Sequence, residues 1–202
     1  MSRLRILGWI GAALLAAQAL RLAAAEPVPD RPADVPGNAL SRLLGPAASL
    51  AATVQWIRVG RAFDRGADGL AFARAETALA LDPGATGGWD LLASRQALHL
   101  GSVSREPDPA RRLAWLRAGL ATARRGEAVA REPAALAFLA GVCLLVHAEQ
   151  DPDLPWPGGA AGLWQAAAGE FERAAALGHP HADGLAASAR ERAAEAAVSA
   201  GR

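Results

Sequence analysis

Four side chains that could bind a metal ion lie close together in the second half of the chain: His147, Glu149, Asp151 and Asp153. Imidazole and carboxylate groups are common zinc ligands, and a bound metal can activate water, so a metal-assisted hydrolase is one interpretation. The spacing argues against it, because His147 and Glu149 stand two positions apart on a helix and do not face each other. The other histidines lie on separate segments, namely His99, His179 and His181. We therefore predict solvated polar residues at a helix end, with no metal and no cofactor.

Residues that could act as nucleophiles or hold phosphate lack the necessary sequence context. Cys143 is the only cysteine and lies in the apolar run 138–146, which is typical of a small buried hydrophobic residue. Gly158 and Gly159 precede a helix, but no strand comes before them and no lysine follows, as a phosphate loop would require. The serines lack a Gly-x-Ser-x-Gly setting, namely Ser94, Ser102 and Ser104. We predict no catalytic residue and hence a protein that is not an enzyme.

The composition fits one globular domain preceded by a targeting segment. The chain has 202 residues, of which 52% are apolar, and alanine is prominent among them. Alanine favours helix above every other residue and buries little area, so close helix packing is expected. Twenty-one basic residues, all arginine, nearly balance 20 acidic ones. This balance gives no electrostatic sign of nucleic-acid binding.

The N-terminus has the layout of a secretory signal or a membrane anchor. Arg3 and Arg5 precede an apolar stretch over 6–20, and three alanines at 23–25 fit a small-residue cleavage site. If the apolar stretch continues to residue 25, it is long enough to span a bilayer. We predict a signal peptide or anchor over 1–25, followed by a proline-rich linker over 26–46. The rest of the chain would then face the periplasm, either attached to the inner membrane or released.

Helical periodicity dominates after the linker, and no segment alternates strictly enough to predict a strand. The first helix is predicted over 47–65, with two apolar stripes and therefore neighbours on two sides. Leu50, Val54 and Ile57 form one stripe, and Trp56, Val59 and Phe63 form the other. Further helices are predicted over 67–81, from Trp89, from Pro109 to about 132, and over 134–150, 160–177 and 182–200. On the helix from Pro109, the arginines are predicted to face water, namely Arg111, Arg112, Arg117, Arg124 and Arg125.

The large aromatic residues indicate where helix pairs touch. Four tryptophans on predicted helices are expected in the core, namely Trp56, Trp89, Trp115 and Trp164. Trp156 differs from them, because it stands between two prolines in the loop 151–159. It would either pack on the helices as a lid or be displayed to a partner, since tryptophan is enriched at binding hot spots.

Several of these segments resemble tetratricopeptide repeats. Trp89 stands 33 positions after Trp56, close to the 34-residue period, and Leu92 and Ala93 follow it as in the first helix of a repeat. Ala71, Ala78 and the closing Leu-Asp-Pro at 81–83 resemble a second helix, and 171–180 resembles another. Residues 178–182 are also similar to Sel1-like repeats. The closing prolines at 83, 133 and 180 are spaced wider than a regular array, because loops are inserted.

This resemblance implies a short right-handed solenoid of antiparallel helix pairs over 47–202, ending in a capping helix. It also implies a groove that binds a partner protein without chemistry, with Asp90, Ser94 and His147 at ligand-facing positions and Trp156 in a neighbouring loop. The expected function is a scaffold or accessory subunit of a bacterial envelope complex. The alternative of another class is the metal-assisted hydrolase that uses His147.

Overall fold

The computed structural model describes residues 47–151 and 153–200, so the predicted signal or anchor and the whole predicted linker lie outside the described residues. Seven α-helices make up this part of the chain, and it contains no strand. They are α1 (Ala47–Asp64), α2 (Asp68–Leu81), α3 (Thr86–Ser94), α4 (Pro109–Glu127), α5 (Pro133–Gln150), α6 (Gly159–Ala176) and α7 (Ala182–Ala200). The all-helical prediction is confirmed for these residues. The solenoid arrangement remains a prediction.

Local signals explain where several helices begin and end. Asp108 caps α4 by accepting a 3.0 Å hydrogen bond from the Ala110 N–H, and Pro109 occupies the first turn, where no backbone donor is needed. Pro133 likewise occupies the first turn of α5, where no backbone donor is needed. Gly178 follows α6 with a φ of 91°, a left-handed conformation that glycine adopts without steric cost. Short loops therefore separate most neighbouring helices.

The third helix departs from the predicted pattern, because α3 continues directly into a π-helical segment, Arg95–Leu100. At its end, the Gly101 N–H donates to the Gln96 carbonyl at 3.0 Å, one residue further back than in an α-helix. Such segments are rare and frequently occur at functional sites. A second difference concerns α4, which ends at Glu127 rather than near residue 132.

The main core lies around α5, which packs against both α4 and α6. By length and apolar composition α5 could cross a membrane, and it is the one helix among the described residues to meet that test. Its inner face is nevertheless covered by its neighbours, as expected for the central helix of a compact fold. Gly141 allows α6 to come close, since a Cβ there would lie 2.7 Å from the Phe171 ring. Helix α7 completes this side by burying alanines against the same cluster.

A second core joins α1, α2, α3 and α5 through Val59, Leu79, Trp89 and Leu136. Trp89 and Trp164 are buried as predicted, whereas Trp56 and Trp115 are only half-buried. The other predicted stripe of α1 has no such cover among the described residues. Leu50, Val54 and Ile57 are 58%, 42% and 53% exposed.

Candidate functional site

The most strongly buried charges in the described part of the chain form an ion pair between α4 and the end of α5. Arg112 Nε donates to Asp151 Oδ2 at 2.6 Å, and Arg112 Nη2 donates to Asp151 Oδ1 at 2.7 Å. The two side chains are only 4% and 2% exposed. This position contradicts the prediction that Arg112 faces water. The hydrogen bonds to Asp151 raise the pKa of Arg112, so the guanidinium keeps its charge.

The same guanidinium also holds the loop before α4. Arg112 Nη1 donates to the carbonyl oxygens of Glu106 and Pro107 at 3.2 and 2.9 Å. All three of its nitrogens therefore have acceptors, which offsets the cost of burying a charge. The pair consequently fixes both the loop 101–108 and the point where α5 gives way to the loop 151–158.

His147 lies one helical turn before Asp151 and is also buried. Its Nδ1 is 3.6 Å from Asp151 Oδ2, and its Nε2 is 2.9 Å from the carbonyl oxygen of Ala97 in the π-helical segment. Because a carbonyl can only accept, Nε2 must carry the proton of this hydrogen bond. His147 thus connects α5 to the π-helical segment, in a position not anticipated for a residue facing a groove.

These contacts occupy the groups that a metal site would need. Both carboxylate oxygens of Asp151 accept hydrogen bonds from Arg112, and His147 Nε2 is hydrogen-bonded to the Ala97 carbonyl oxygen. Over the described residues, no group of three His, Cys, Asp or Glu side chains is arranged to hold a metal ion. The arrangement is suited to holding segments together rather than to activating water.

A cavity of about 350 Å³ adjoins this ion pair. It is lined by Leu98, Ser102, Val103, Ser104, Val146, His147, Gln150 and Asp151. The Ser102 hydroxyl donates to the His99 carbonyl at 2.9 Å and is 3.1 Å from the Ser104 hydroxyl. Neither contact involves a general base, so this geometry gives no activated nucleophile.

Cys143 is a buried residue of the main core, as predicted. Burial, reinforced by the negative charge of Asp90, raises the pKa of its thiol to about 12. The thiol is therefore protonated at neutral pH and unreactive.

A larger and more open groove, of about 560 Å³, lies between α4 and the loop that follows α5. Its lining consists of Arg117, Leu120, Ala121, Arg124, Arg125 and Trp156. The α4 residues share one face of the helix, since they recur at intervals of three and four. The Trp156 ring is half-buried and packs against the main core, while part of it faces the groove. The groove thus combines guanidinium groups with an aromatic surface.

Two of the groove arginines already have acidic partners. Arg124 Nη2 is 2.8 Å from Glu170 Oε1, and Arg125 Nη2 is 3.3 Å from Glu76 Oε2. Arg117 is exposed and makes no ion pair within the described part of the chain. It is the groove cation most available to a ligand. The helical spacing of the α4 arginines is a usable signal for this face, although spacing alone predicts only solvated residues.

The structure does not bring the four predicted binding residues together. Asp90 is exposed on α3, and the Ser94 hydroxyl donates to the Asp90 carbonyl at 2.8 Å. Ser94 lines a separate, shallow cavity of about 230 Å³. His147 is buried beside the ion pair, whereas Trp156 borders the arginine groove. Of the four, only Trp156 lies at the groove.

Comparison of the chain with protein-family models, with curated proteins and with solved structures gave no match. The resemblance to tetratricopeptide repeats accordingly rests on the residues quoted above.

Proposed function

We propose that this chain is a non-catalytic interaction protein that binds a segment of a partner protein in the groove between α4 and Trp156. The observation that carries the proposal is the lining of that groove by Arg117, Arg124, Arg125 and the partly exposed Trp156 ring. Tryptophan and arginine are the residue types most enriched at binding hot spots. The partner would present a carboxylate to Arg117 next to an apolar side chain that packs on Trp156.

The predicted N-terminal signal or anchor supports a place in the cell envelope. With residues 1–25 directing export, the helical domain would act as a scaffold or accessory subunit of an envelope complex. Prolines at 155 and 157 stiffen the loop that carries Trp156, which lowers the entropy lost when a partner binds. The contacts of His147 and Asp151 support a structural role for these residues rather than the hydrolase alternative.

Affinity purification of the full chain from native membranes tests the proposal. Arg117→Glu should reduce recovery of a specific partner at least about tenfold, because a repulsive charge replaces an attractive one at the groove. Its thermal unfolding should be unchanged, since the side chain is exposed. Trp156→Ala should reduce recovery too, but with some loss of stability because its ring is partly buried.

Arg111→Glu provides the matched control. It changes the same residue type at another exposed position of α4, about 120° around the axis from Arg117. Its recovery of partners should equal that of the unmodified chain. Equal recovery by the Arg117→Glu and Arg111→Glu variants would refute the groove as the binding site.

A further inference from the structure

The outward face of α1 has two halves of different chemistry. Leu50, Val54 and Ile57 lie on one stripe and are about half exposed, although aliphatic side chains of this size are usually covered. Arg58, Arg61 and Arg65 continue the same face toward the end of the helix and beyond it, and all three are exposed. At 100° per residue, the five of these positions that lie within α1 fall within about 100° of one another.

The basic half of this face is not neutralised by the described residues. Arg58, Arg61 and Arg65 make no ion pair there. Asp64 is the one acidic residue of α1. A fourth guanidinium lies close by, since Arg74 Nη1 on α2 donates to the Arg58 carbonyl at 3.2 Å. The face therefore offers apolar side chains and a surplus of positive charge on a single helix.

We propose that this face of α1 docks on the surface of an anionic phospholipid bilayer. The aliphatic side chains would enter the boundary between headgroups and acyl chains, while the arginines contact lipid phosphates. Each basic residue near such a surface strengthens binding by a factor of about five. Helix α1 is also the first described element after the predicted anchor and linker, so an anchor there would tether this helix to a membrane.

Charge and area favour lipid over a second copy of the chain. A second copy would supply the same surplus of arginines and only Asp64 to oppose them. Three half-exposed aliphatic side chains also offer far less than the about 800 Å² per partner that stable interfaces bury. A bilayer supplies opposite charge and an apolar layer together.

A fluorescent label on the full chain tests this docking. Thr53→Cys places a thiol on the exposed flank of α1 and leaves the aliphatic residues intact. An environment-sensitive nitrobenzoxadiazole label can be directed there, because Cys143 is buried with a raised pKa and the unmodified chain should not react. Val198→Cys, at an exposed position of α7, is the matched control.

The chain is then mixed with vesicles of phosphatidylcholine containing phosphatidylglycerol, or of phosphatidylcholine alone. We expect the label at position 53 to brighten severalfold, and to be shielded from iodide, only with the anionic vesicles. The label at position 198 should remain quenchable in both. Replacing Arg58, Arg61 and Arg65 by glutamate should abolish the shielding, whereas Arg117→Glu should leave it unchanged, which separates this proposal from the groove.

Four other outcomes would overturn the proposal. Equal exposure in both vesicle types would show that α1 does not contact lipid, and equal shielding would show that negative charge is not recognised. Shielding without lipid that grows with protein concentration would identify a second copy as the occupant. Shielding without lipid at every concentration would identify residues 1–46 of the same chain.

Discussion

Replacing Asp151 by alanine should be among the most damaging single changes to the described domain. It removes both acceptors of Arg112 Nε and Nη2, at 2.6 and 2.7 Å, and leaves a guanidinium that is 4% exposed without its counter-ion. Breaking a buried ion pair in this way costs about 3–5 kcal/mol, because the remaining charge is neither solvated nor paired. We expect a loss of that size in the free energy of unfolding.

Urea unfolding of the full chain in mild detergent, followed by circular dichroism, measures this loss. A second readout is local, since the same guanidinium holds the carbonyl oxygens of Glu106 and Pro107. Hydrogen exchange over 101–108 should accelerate in Asp151→Ala more than exchange in α7. A merely general loss of stability would not produce that difference.

Two further variants determine whether the ion pair itself is responsible. Arg112→Met combined with Asp151→Leu removes both charges, and it should recover most of the loss, because apolar replacements of buried pairs are often neutral. Arg111→Ala breaks only the exposed contact with Asp108 and should cost less than about 0.5 kcal/mol. A cost below about 1 kcal/mol for Asp151→Ala, or a double variant no more stable than the single one, would refute the reasoning.

Two other predictions concern the packing of the helices. Trp89→Ala should lower the free energy of unfolding by about 3–5 kcal/mol, because the ring is buried and its Nε1 donates to the Pro83 carbonyl at 2.8 Å. A loss below about 1 kcal/mol would contradict the placement of Trp89 in the core. Gly141→Ala should lower the free energy of unfolding by about 1–3 kcal/mol, because its new Cβ would lie 2.7 Å from the Phe171 ring. Gly169→Ala is the matched control: its Cβ would meet nothing within 4 Å, and it should stabilise α6 by up to about 1 kcal/mol. Urea unfolding midpoints measure both changes.

The helices could be predicted from the sequence because their signals are local. Proline at the first turn marks the start of α4, and the last helix was predicted at its observed bounds, Ala182–Ala200, whereas Pro133, predicted to close a helix, begins α5. The aliphatic stripe of α1 shows where such reasoning fails. Periodicity establishes that Leu50, Val54 and Ile57 share a face, but whether another element covers that face depends on topology, which no window of sequence contains.

The buried ion pair could not be predicted for a similar reason. Arg112 is one of five arginines on α4, and its sequence neighbours do not distinguish it from Arg111. Its partner lies 39 positions away and becomes adjacent only when α4 packs against α5. The close spacing of His147 and Asp151, which suggests metal ligands, thus has another physical origin. Residues four positions apart on a helix lie close together, and here Asp151 binds Arg112 of α4 while His147 binds Ala97 of the π-helical segment.

The position of this ion pair also connects the fold to the proposed groove. Arg112 lies in the first turn of α4, whose later turns carry Arg117, while Asp151 begins the loop that carries Trp156. The pair therefore joins the start of the helix that forms one wall of the groove to the start of the loop that forms the other. If that is its role, Asp151→Ala should weaken partner recovery as well as stability, even at temperatures where the chain remains folded, whereas Arg117→Glu should weaken recovery alone. Full recovery by folded Asp151→Ala would show that the walls are positioned without this pair.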